Sequence, residues 1–170
     1  MLFELSPQDS HLATVAGRDT VALCTMQKIS PRLKTSHQDR IDSNARGFKA
    51  EFAVARLLGI DPPGVNVASD GGIDLWFDDV SIDVKLTTRH QGDLIFDTPD
   101  KFKSRVAILV ASTDDPDVMS IEGWMGRPEF ISKAKRKDYG HGPRLFIPNS
   151  NLHPIEELWL EVMRRRHSPK

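Results

Sequence analysis

Two aspartates and a lysine that are suited to metal chemistry lie within one short stretch, GGIDLWFDDVSIDVKL (71–86). The stretch predicts a β-hairpin with Asp78 and Asp79 at its two-residue tip. In that register Asp74 lies opposite Asp83, and Lys85 follows on the same face. Two carboxylates about 5 Å apart repel each other by about 3 kcal/mol at an effective dielectric constant of about 20. A divalent cation between them would relieve this repulsion, and oxygen ligands favour Mg²⁺ or Mn²⁺ over zinc.

The apolar residues of the hairpin support this register. Side chains alternate between the two faces of a strand, so one face becomes entirely apolar. That face consists of Ile73, Leu75, Phe77, Val80, Ile82 and Val84. A solvated second face, with Asp74 and Asp83 as ordinary surface residues, is the competing interpretation, because hairpins with one wet face are common.

The segment 44–58 predicts an amphipathic helix that carries a further carboxylate. Its apolar arc consists of Phe48, Phe52, Val54, Ala55 and Leu58. Glu51 projects into this arc, whereas Lys49 and Arg56 fall on the opposite side, where surface charges are expected. A carboxylate on a core face is costly unless it is paired or metal-bound. We therefore expect Glu51 to point towards the sheet.

A helix glutamate, then an aspartate, then Asp-x-Lys on a hairpin resembles the PD-(D/E)XK nuclease superfamily. The matching residues are Glu51 in GFKAEFAVARLLG, Asp74 in SDGGIDLWF, and Asp83 and Lys85 in SIDVKLTT. The resemblance covers 47–88 and extends through VAILVAS (106–112). No proline precedes Asp74, because Ile73 stands there, and that proline is often absent in the superfamily.

The resemblance implies a metal-dependent nuclease that hydrolyses phosphodiester bonds in DNA, acting as an endonuclease. Asp74, Asp83 and the Val84 carbonyl would hold one or two Mg²⁺ or Mn²⁺ ions, with Glu51 as a further ligand, direct or through water. Lys85 would orient or deprotonate the attacking water, or stabilise the transition state. Many nucleases of this fold act as dimers, so a homodimer is a reasonable expectation.

Contacts to DNA require positive charge or hydrogen-bond donors near the site. Thr87 shares the face of Asp83 and Lys85 and could touch the scissile phosphate. Candidate contacts also include Arg89, His90 and Gln91, then Lys101, Lys103 and Arg105, then the segment KAKRKDYGHG (133–142). For each of these clusters a solvated surface is the competing interpretation. Trp76 falls on the acidic face, either packed under a loop or stacked on a nucleotide.

Composition restricts the class of protein. The chain has 170 residues, 39% hydrophobic and 28% charged, with a formal net charge of −1. These values fit one globular domain, and the near-neutral charge predicts modest, salt-sensitive DNA binding. The single Cys24 excludes an internal disulfide, and His141 and His153 lack further ligands at zinc spacing. No apolar run approaches the roughly 18 residues of a membrane span, and the N-terminus is too polar for a signal peptide, so we expect a cytoplasmic protein.

Several elements are expected around the hairpin. In the N-terminal part, LSPQDSHLATVAG predicts a short helix capped by Ser6, TVALCTMQKI a strand, and SPRLKTSHQDRIDS a polar connection. The 44–58 helix would be capped by Ser43 and stopped by Gly59. Beyond the hairpin, strands are expected at 94–96, in VAILVAS, in MSIEGWM and in RLFIP, and a helix in RPEFISKAKRKDYGHG ending near Gly140. HPIEELWLEVMRRRH predicts a terminal helix, with Trp124 and Trp159 in the core.

This order predicts an α/β protein, a restriction-endonuclease-like sandwich with a central mixed sheet flanked by helices. We expect a single domain over 1–170, with an N-terminal extension (1–42), a catalytic core (43–111) and C-terminal strand and helix elements (112–170). Two other functions stay open. One is a catalytically silent DNA-binding module of the same fold, and the other is a protein-interaction module.

Overall fold

The computed structural model of the chain describes residues 1–27, 36–64, 72–89, 91–140 and 142–167, except for the side chains at 163 and 165–167. The α-helices are α1 (Pro7–Met26), α2 (His37–Leu58), α3 (Arg127–Lys133) and α4 (Ile155–His167). The strands are β1 (Leu2–Glu4), β2 (Leu75–Phe77), β3 (Val80–Thr87), β4 (Asp93–Phe96), β5 (Val106–Ser112), β6 (Val118–Gly126), β7 (Lys135–Asp138) and β8 (Pro143–Pro148). Predictions for His90 and His141 lie outside the described residues.

Five strands form the central sheet, in the order β1-β6-β5-β3-β2. β3 and β5 run parallel, and the other neighbouring strands run antiparallel. The predicted mixed sheet of an α/β protein is therefore confirmed, as are the strands in VAILVAS, MSIEGWM and RLFIP. None of the described helices is both long and apolar enough to span a bilayer.

One face of the central sheet packs against helices and forms the larger apolar core. Ile82, Val84 and Ile108 of the sheet meet a buried row on α2 in this core. That row consists of Ala50, Phe52, Ala53, Val54, Ala55 and Leu58. Leu158 and Val162 of α4 join the same core. β5 is the middle strand of the central sheet and is buried from Val106 to Ala111, as expected for a strand covered on both faces.

The other face of the central sheet is covered by a second sheet, in the order β4-β8-β7, and by α3. The sequence had predicted helices flanking the central sheet. Ala107 and Leu109 of β5 pack here against Leu94 and Phe96 of β4. Phe96 stacks on Phe102 with ring centroids 4.4 Å apart, and Phe130 of α3 meets both rings edge-on. This aromatic cluster ties the second sheet to the first.

The N-terminal helix is longer than predicted. Ser6 caps α1 as expected, because its Oγ accepts a hydrogen bond of 3.1 Å from the Asp9 N–H. The predicted strand in TVALCTMQKI is wrong through Met26, since α1 continues past Gly17. Gly17 faces α2 so closely that a Cβ there would lie 2.4 Å from the Ala45 nitrogen. Gly17 therefore allows two helices to approach, instead of ending the first.

The second helix also begins earlier than predicted, at His37 instead of Asn44. Ser36 and Asp39 form a capping box, in which each side chain accepts a hydrogen bond from the other residue's backbone. The predicted end of the helix is confirmed, because Gly59 adopts a left-handed φ of 69°. The predicted domain boundary between 42 and 43 consequently falls inside α2.

Lys49 of α2 is not a surface charge, although its position on the helical wheel predicted one. Lys49 is only 9% exposed, and its Nζ donates to the Asp117 carboxylate at 2.7 Å and to the Pro116 carbonyl at 3.1 Å. The prediction for Lys49 failed because α1 packs against the side of α2 that the helical wheel assigned to solvent. Arg56 is exposed, as predicted, and forms an ion pair with Asp9 of α1 at 2.8 Å.

The helix predicted over RPEFISKAKRKDYGHG ends at Lys133. Ala134 turns into extended backbone, with ψ at 136°, and the following residues form β7 against β8. The terminal helix α4 is confirmed, but Trp159 is 46% exposed and so does not lie in the core. Trp124 is half-buried, and its indole N–H donates to the Pro154 carbonyl at 3.1 Å.

Candidate functional site

The β2–β3 hairpin has the predicted register. Leu75 pairs with Ile82, Trp76 with Ser81, and Phe77 with Val80. Asp78 and Asp79 form the tip, and Asp78 has a positive φ of 54°. Within β2 the burial alternates as expected, with Leu75 and Phe77 buried in the larger core and Trp76 59% exposed on the other face.

Asp74 lies just before β2, one residue outside the regular ladder. Its N–H donates to the Ile82 carbonyl at 2.8 Å, and its Oδ2 accepts a hydrogen bond of 2.6 Å from the Val84 N–H. The predicted Asp74–Asp83 pair is therefore not part of the ladder, which ends at Leu75 and Ile82. The Asp74 carboxylate is stabilised by a backbone donor, and it lies against the peptide that joins Asp83 to Val84.

The direction of the Val84 backbone groups follows from the hydrogen bond between its N–H and Asp74. Because the N–H and C=O of one strand residue point to the same side, its carbonyl faces the side on which Asp74 lies. β2 has already ended at that level of β3, so no ladder bond from β2 reaches the Val84 carbonyl. The other side of β3 pairs with β5, where Val84 lies beside Ile108.

Asp83 and Lys85 form an ion pair within β3. The Asp83 side chain is 1% exposed, and its Oδ1 accepts a hydrogen bond from the Lys85 Nζ. The Lys85 side chain is 38% exposed, so the pair joins a buried carboxylate to a cation that reaches solvent. Burial of a carboxylate is costly unless a cation or strong donors accompany it. Lys85 is therefore the cation that accompanies the buried Asp83 carboxylate.

Phe96 is a neighbour of this pair that the sequence did not reveal. The Lys85 Nζ lies 5.1 Å from the centroid of the Phe96 ring, within the range of a cation–π interaction. The strand over 94–96 was predicted, but no spacing in the sequence indicates that it crosses above β3. Phe96 thus restricts the position of the lysine ammonium.

Glu51 lies half-buried on α2. The apolar residues of α2 pack on the Ile82–Val84 face of β3, whereas Asp83 and Lys85 lie on the other face, above Ala107 and Leu109. Among the described residues, no three histidine, cysteine, aspartate or glutamate side chains form a group that could hold a metal ion. The role of Glu51 as a ligand stays a prediction.

The residues after the Asp-x-Lys motif lie at the end of β3. The Thr87 Oγ1 accepts a hydrogen bond of 3.2 Å from the Arg89 N–H, and a Cβ on Gly92 would lie 2.4 Å from the same oxygen. Arg89 and Gln91 are exposed, and Gln91 has a positive φ of 55°. This turn places the predicted contact residues at the end of the strand that carries Lys85.

The second predicted contact cluster is spread out. Lys101 and Lys103 are exposed. The Lys101 carbonyl lies 3.7 Å from where a Cβ on Gly72 would be, beside the segment that leads into Asp74. Arg105 instead forms an ion pair of 2.6 Å with Asp79 at the hairpin tip. The cluster therefore does not form a single patch around Lys85.

A tyrosine at the end of β7 was also not anticipated from the sequence. The Tyr139 hydroxyl donates to the Asp93 carboxylate at 2.7 Å. Burial raises the pKa of Tyr139 to about 12, and the hydrogen bond to Asp93 adds to this effect. Tyr139 therefore stays neutral at physiological pH and holds the ends of β4 and β7 together.

The structure defines an α/β protein with a mixed five-stranded sheet and a second, three-stranded sheet. No family model, no curated protein and no solved structure matches the chain at a significant level. The function must consequently be argued from the site itself.

Proposed function

We propose that the chain is a metal-dependent nuclease of the restriction-endonuclease-like fold that hydrolyses phosphodiester bonds in DNA. The proposal depends mainly on the Asp83–Lys85 pair, a buried carboxylate joined to a lysine that reaches solvent at the end of a central strand. A buried ion pair of this kind is weak support for stability, because desolvation of the charges offsets their attraction. A chemical role explains its presence better.

The ligand chemistry of the site suits Mg²⁺ or Mn²⁺. Magnesium is usually held by one or two carboxylates, with water and substrate phosphate as the other ligands. Asp74, Asp83 and the Val84 carbonyl would supply such a set, and Glu51 would be a further ligand. When bound, the metal would supply an activated water and positive charge at the phosphate under attack.

Lys85 has the geometry of a positioning and charge-stabilising group. Its ammonium is held between the Asp83 carboxylate and the Phe96 ring, and part of the side chain remains open to solvent. From there it would donate to a phosphate oxygen or orient a water. Thr87, two residues along β3 on the same face, would lie beside the same phosphate.

A catalytically silent DNA-binding or protein-interaction module is the second candidate. Two observations favour it. The Asp74 Oδ2 accepts a hydrogen bond from the Val84 N–H, and the described residues contain no group of three potential metal ligands. In this alternative the acidic hairpin is held by its own protein contacts and needs no cation.

Cleavage assays separate the two candidates. Purified protein with Mg²⁺ or Mn²⁺ is incubated with linear, nicked, branched and single-stranded DNA, and with RNA. We expect cleavage of at least one form of DNA, and its loss in Asp83→Asn and Lys85→Ala. Asp79→Asn is the matched control, because it removes a hairpin carboxylate that lies at the exposed tip. Cleavage that persists in both site variants would locate the chemistry elsewhere.

Calorimetry with Mn²⁺ tests the metal directly. We expect binding to the wild-type protein and weaker binding to Asp74→Asn and Asp83→Asn. Absence of both Mn²⁺ binding and cleavage would favour the silent module. The proposal includes a cytoplasmic location. It also includes a homodimer as the active form, and light scattering would check this oligomeric state.

A further inference from the structure

The outer face of the three-stranded sheet carries positive charge above half-buried apolar side chains. Leu94 and Phe96 of β4 and Ile147 of β8 point inwards into the aromatic core. By alternation and register, the opposite face carries every second side chain of the three strands. We call these residues the outer face: Lys135 and Lys137 of β7, Arg144, Phe146 and Pro148 of β8, and Asp93 and Ile95 of β4.

Two lysines dominate this face. Lys135 lies opposite Phe146 and Lys137 opposite Arg144, and both lysines are exposed. The Lys137 Nζ lies 5.1 Å from the Tyr139 ring centroid and 5.9 Å from the Phe146 ring centroid. An ammonium held over two rings loses less conformational freedom when it binds an anion than a lysine that extends freely into water.

The carboxylates around this face are occupied by other groups. Asp97 forms an ion pair with Arg144 at 3.1 Å, and Asp93 accepts the Tyr139 hydroxyl. Asp138 accepts hydrogen bonds from the N–H groups of Gly140 and Gly142. Neither lysine of the outer face forms an ion pair with a carboxylate of the described residues. Their charges are therefore available to a partner.

The strand β4 belongs both to the outer face and to the surroundings of the candidate active site, which lies on the inner side of the sheet. β4 provides Phe96 on its inner side, directly beside the Lys85 ammonium. At the other end of β4, the half-buried Tyr139 donates a hydrogen bond from its hydroxyl to Asp93, and Arg89 lies near enough to act electrostatically on Tyr139. Neighbouring strands are about 4.8 Å apart, so the three strands span only about 10 Å.

We propose that the outer face of the β4-β8-β7 sheet binds the phosphate backbone of the nucleic acid that the Asp83–Lys85 pair would cleave. This proposal deepens the nuclease proposal and rests on it. An acidic membrane is a poorer match, since surface binding to lipid uses exposed apolar side chains beside the cations. The apolar side chains Ile95 and Phe146 are half-buried, and the highly exposed ones, such as Leu2 and Met26, lie elsewhere.

Fluorescence anisotropy with labelled duplex and single-stranded DNA tests this surface, over a series of salt concentrations and with EDTA to prevent cleavage. We expect Lys135→Gln/Lys137→Gln to weaken binding about tenfold and to reduce the salt slope by about 1.8 for duplex DNA, because two phosphate contacts are lost. Lys135→Arg/Lys137→Arg should keep the wild-type slope, since it retains the charge. A wild-type salt slope in the arginine variant would separate an effect of charge from damage to the sheet.

Arg18→Gln/Arg46→Gln is the control of equal charge loss, because both arginines are exposed on helices away from this sheet. An equal loss of affinity in this control and in the lysine variant would overturn the proposal, since binding would then be diffuse. So would a lysine variant that binds DNA normally but loses binding to vesicles of anionic lipid. DNA binding that depends on the two lysines, in a protein without cleavage, would support the surface and reject only the nuclease.

Discussion

Ion pairs on the two faces of the central sheet connect the chain in different ways. On the helical face, Lys49 reaches Asp117 and Arg56 reaches Asp9, so each pair joins residues from separate elements. On the other face, Asp83 and Lys85 are two residues apart in one strand. The first two pairs hold elements together, whereas the third links no elements. Its stabilising value is therefore small, and this difference is our reason for assigning it to chemistry.

The largest expected effect comes from the same substitution made on each face. Asp83→Asn should reduce cleavage on the order of 10³-fold, because a proposed ligand of the metal that would stabilise charge at the reacting phosphate is lost. It should leave the free energy of unfolding nearly unchanged, since Lys85 reaches solvent. Asp117→Asn should do the reverse. Its cleavage should be normal, and its free energy of unfolding should fall by about 1–2 kcal/mol, because Lys49 stays buried without its carboxylate. Cleavage rates and chemical denaturation measure both quantities, and equal loss of activity in the two variants would remove the distinction.

The next effect tests how closely the helices pack. Gly17→Ala should lower the free energy of unfolding by about 2 kcal/mol, since the new Cβ would meet the backbone of Ala45 and force the helices apart. Gly47→Ala, in α2, should instead raise it by about 0.5–1 kcal/mol, because a Cβ there meets nothing within 4 Å and alanine favours helix. Urea denaturation compares the two, and the same sign for both would contradict the described packing.

A smaller effect depends on pH. The hydrogen bonds from Arg56 hold the pKa of Asp9 below its ordinary value of 3.8. The stabilisation from this lowered pKa is fully present above the ordinary value and is lost as the pH falls through the folded-state pKa. We expect Asp9→Asn to lower the free energy of unfolding by about 1–2 kcal/mol at pH 7, and the difference from wild type to shrink below about pH 4.

The control for this pH dependence is Asp19→Asn, which removes an exposed carboxylate that pairs with the neighbouring Arg18. Denaturation at pH 3, 4, 5 and 7 should show almost no difference between this variant and the wild type. A difference for Asp9→Asn that stayed constant down to pH 3 would show that the pair with Arg56 does not set the pKa.

The smallest effect concerns the ring beside Lys85. Phe96→Leu should slow cleavage by about three- to fivefold, because the cation–π contact that restricts the ammonium contributes about 0.5–1 kcal/mol. Phe130→Leu is the matched control, since Phe130 belongs to the same aromatic cluster and makes no such contact with Lys85. Equal slowing in both variants would point to general loosening of the aromatic core.

Local patterns in the sequence predicted several elements correctly. The hairpin register followed from strict alternation, and β5 from a continuous apolar run. The end of α2 at Gly59 and the position of α4 followed from glycine and from helical spacing. The continuation of α1 past Gly17, the burial of Lys49 and the strand β7 were missed. The first depends on packing against α2, the second on the ion pair with Asp117, and the third on pairing with β8.

By itself, the sequence determined that Asp83 and Lys85 share one face of a strand, because side-chain alternation is a property of the local backbone. The tertiary structure alone decided what lies around them. In the tertiary structure Asp74 lies outside the ladder and accepts a hydrogen bond from the Val84 N–H, and the Phe96 ring contacts the Lys85 ammonium. The tertiary structure also laid the β4-β8-β7 sheet over this face. Such contacts form only when separate elements pack together, and no spacing along the chain records which elements will meet.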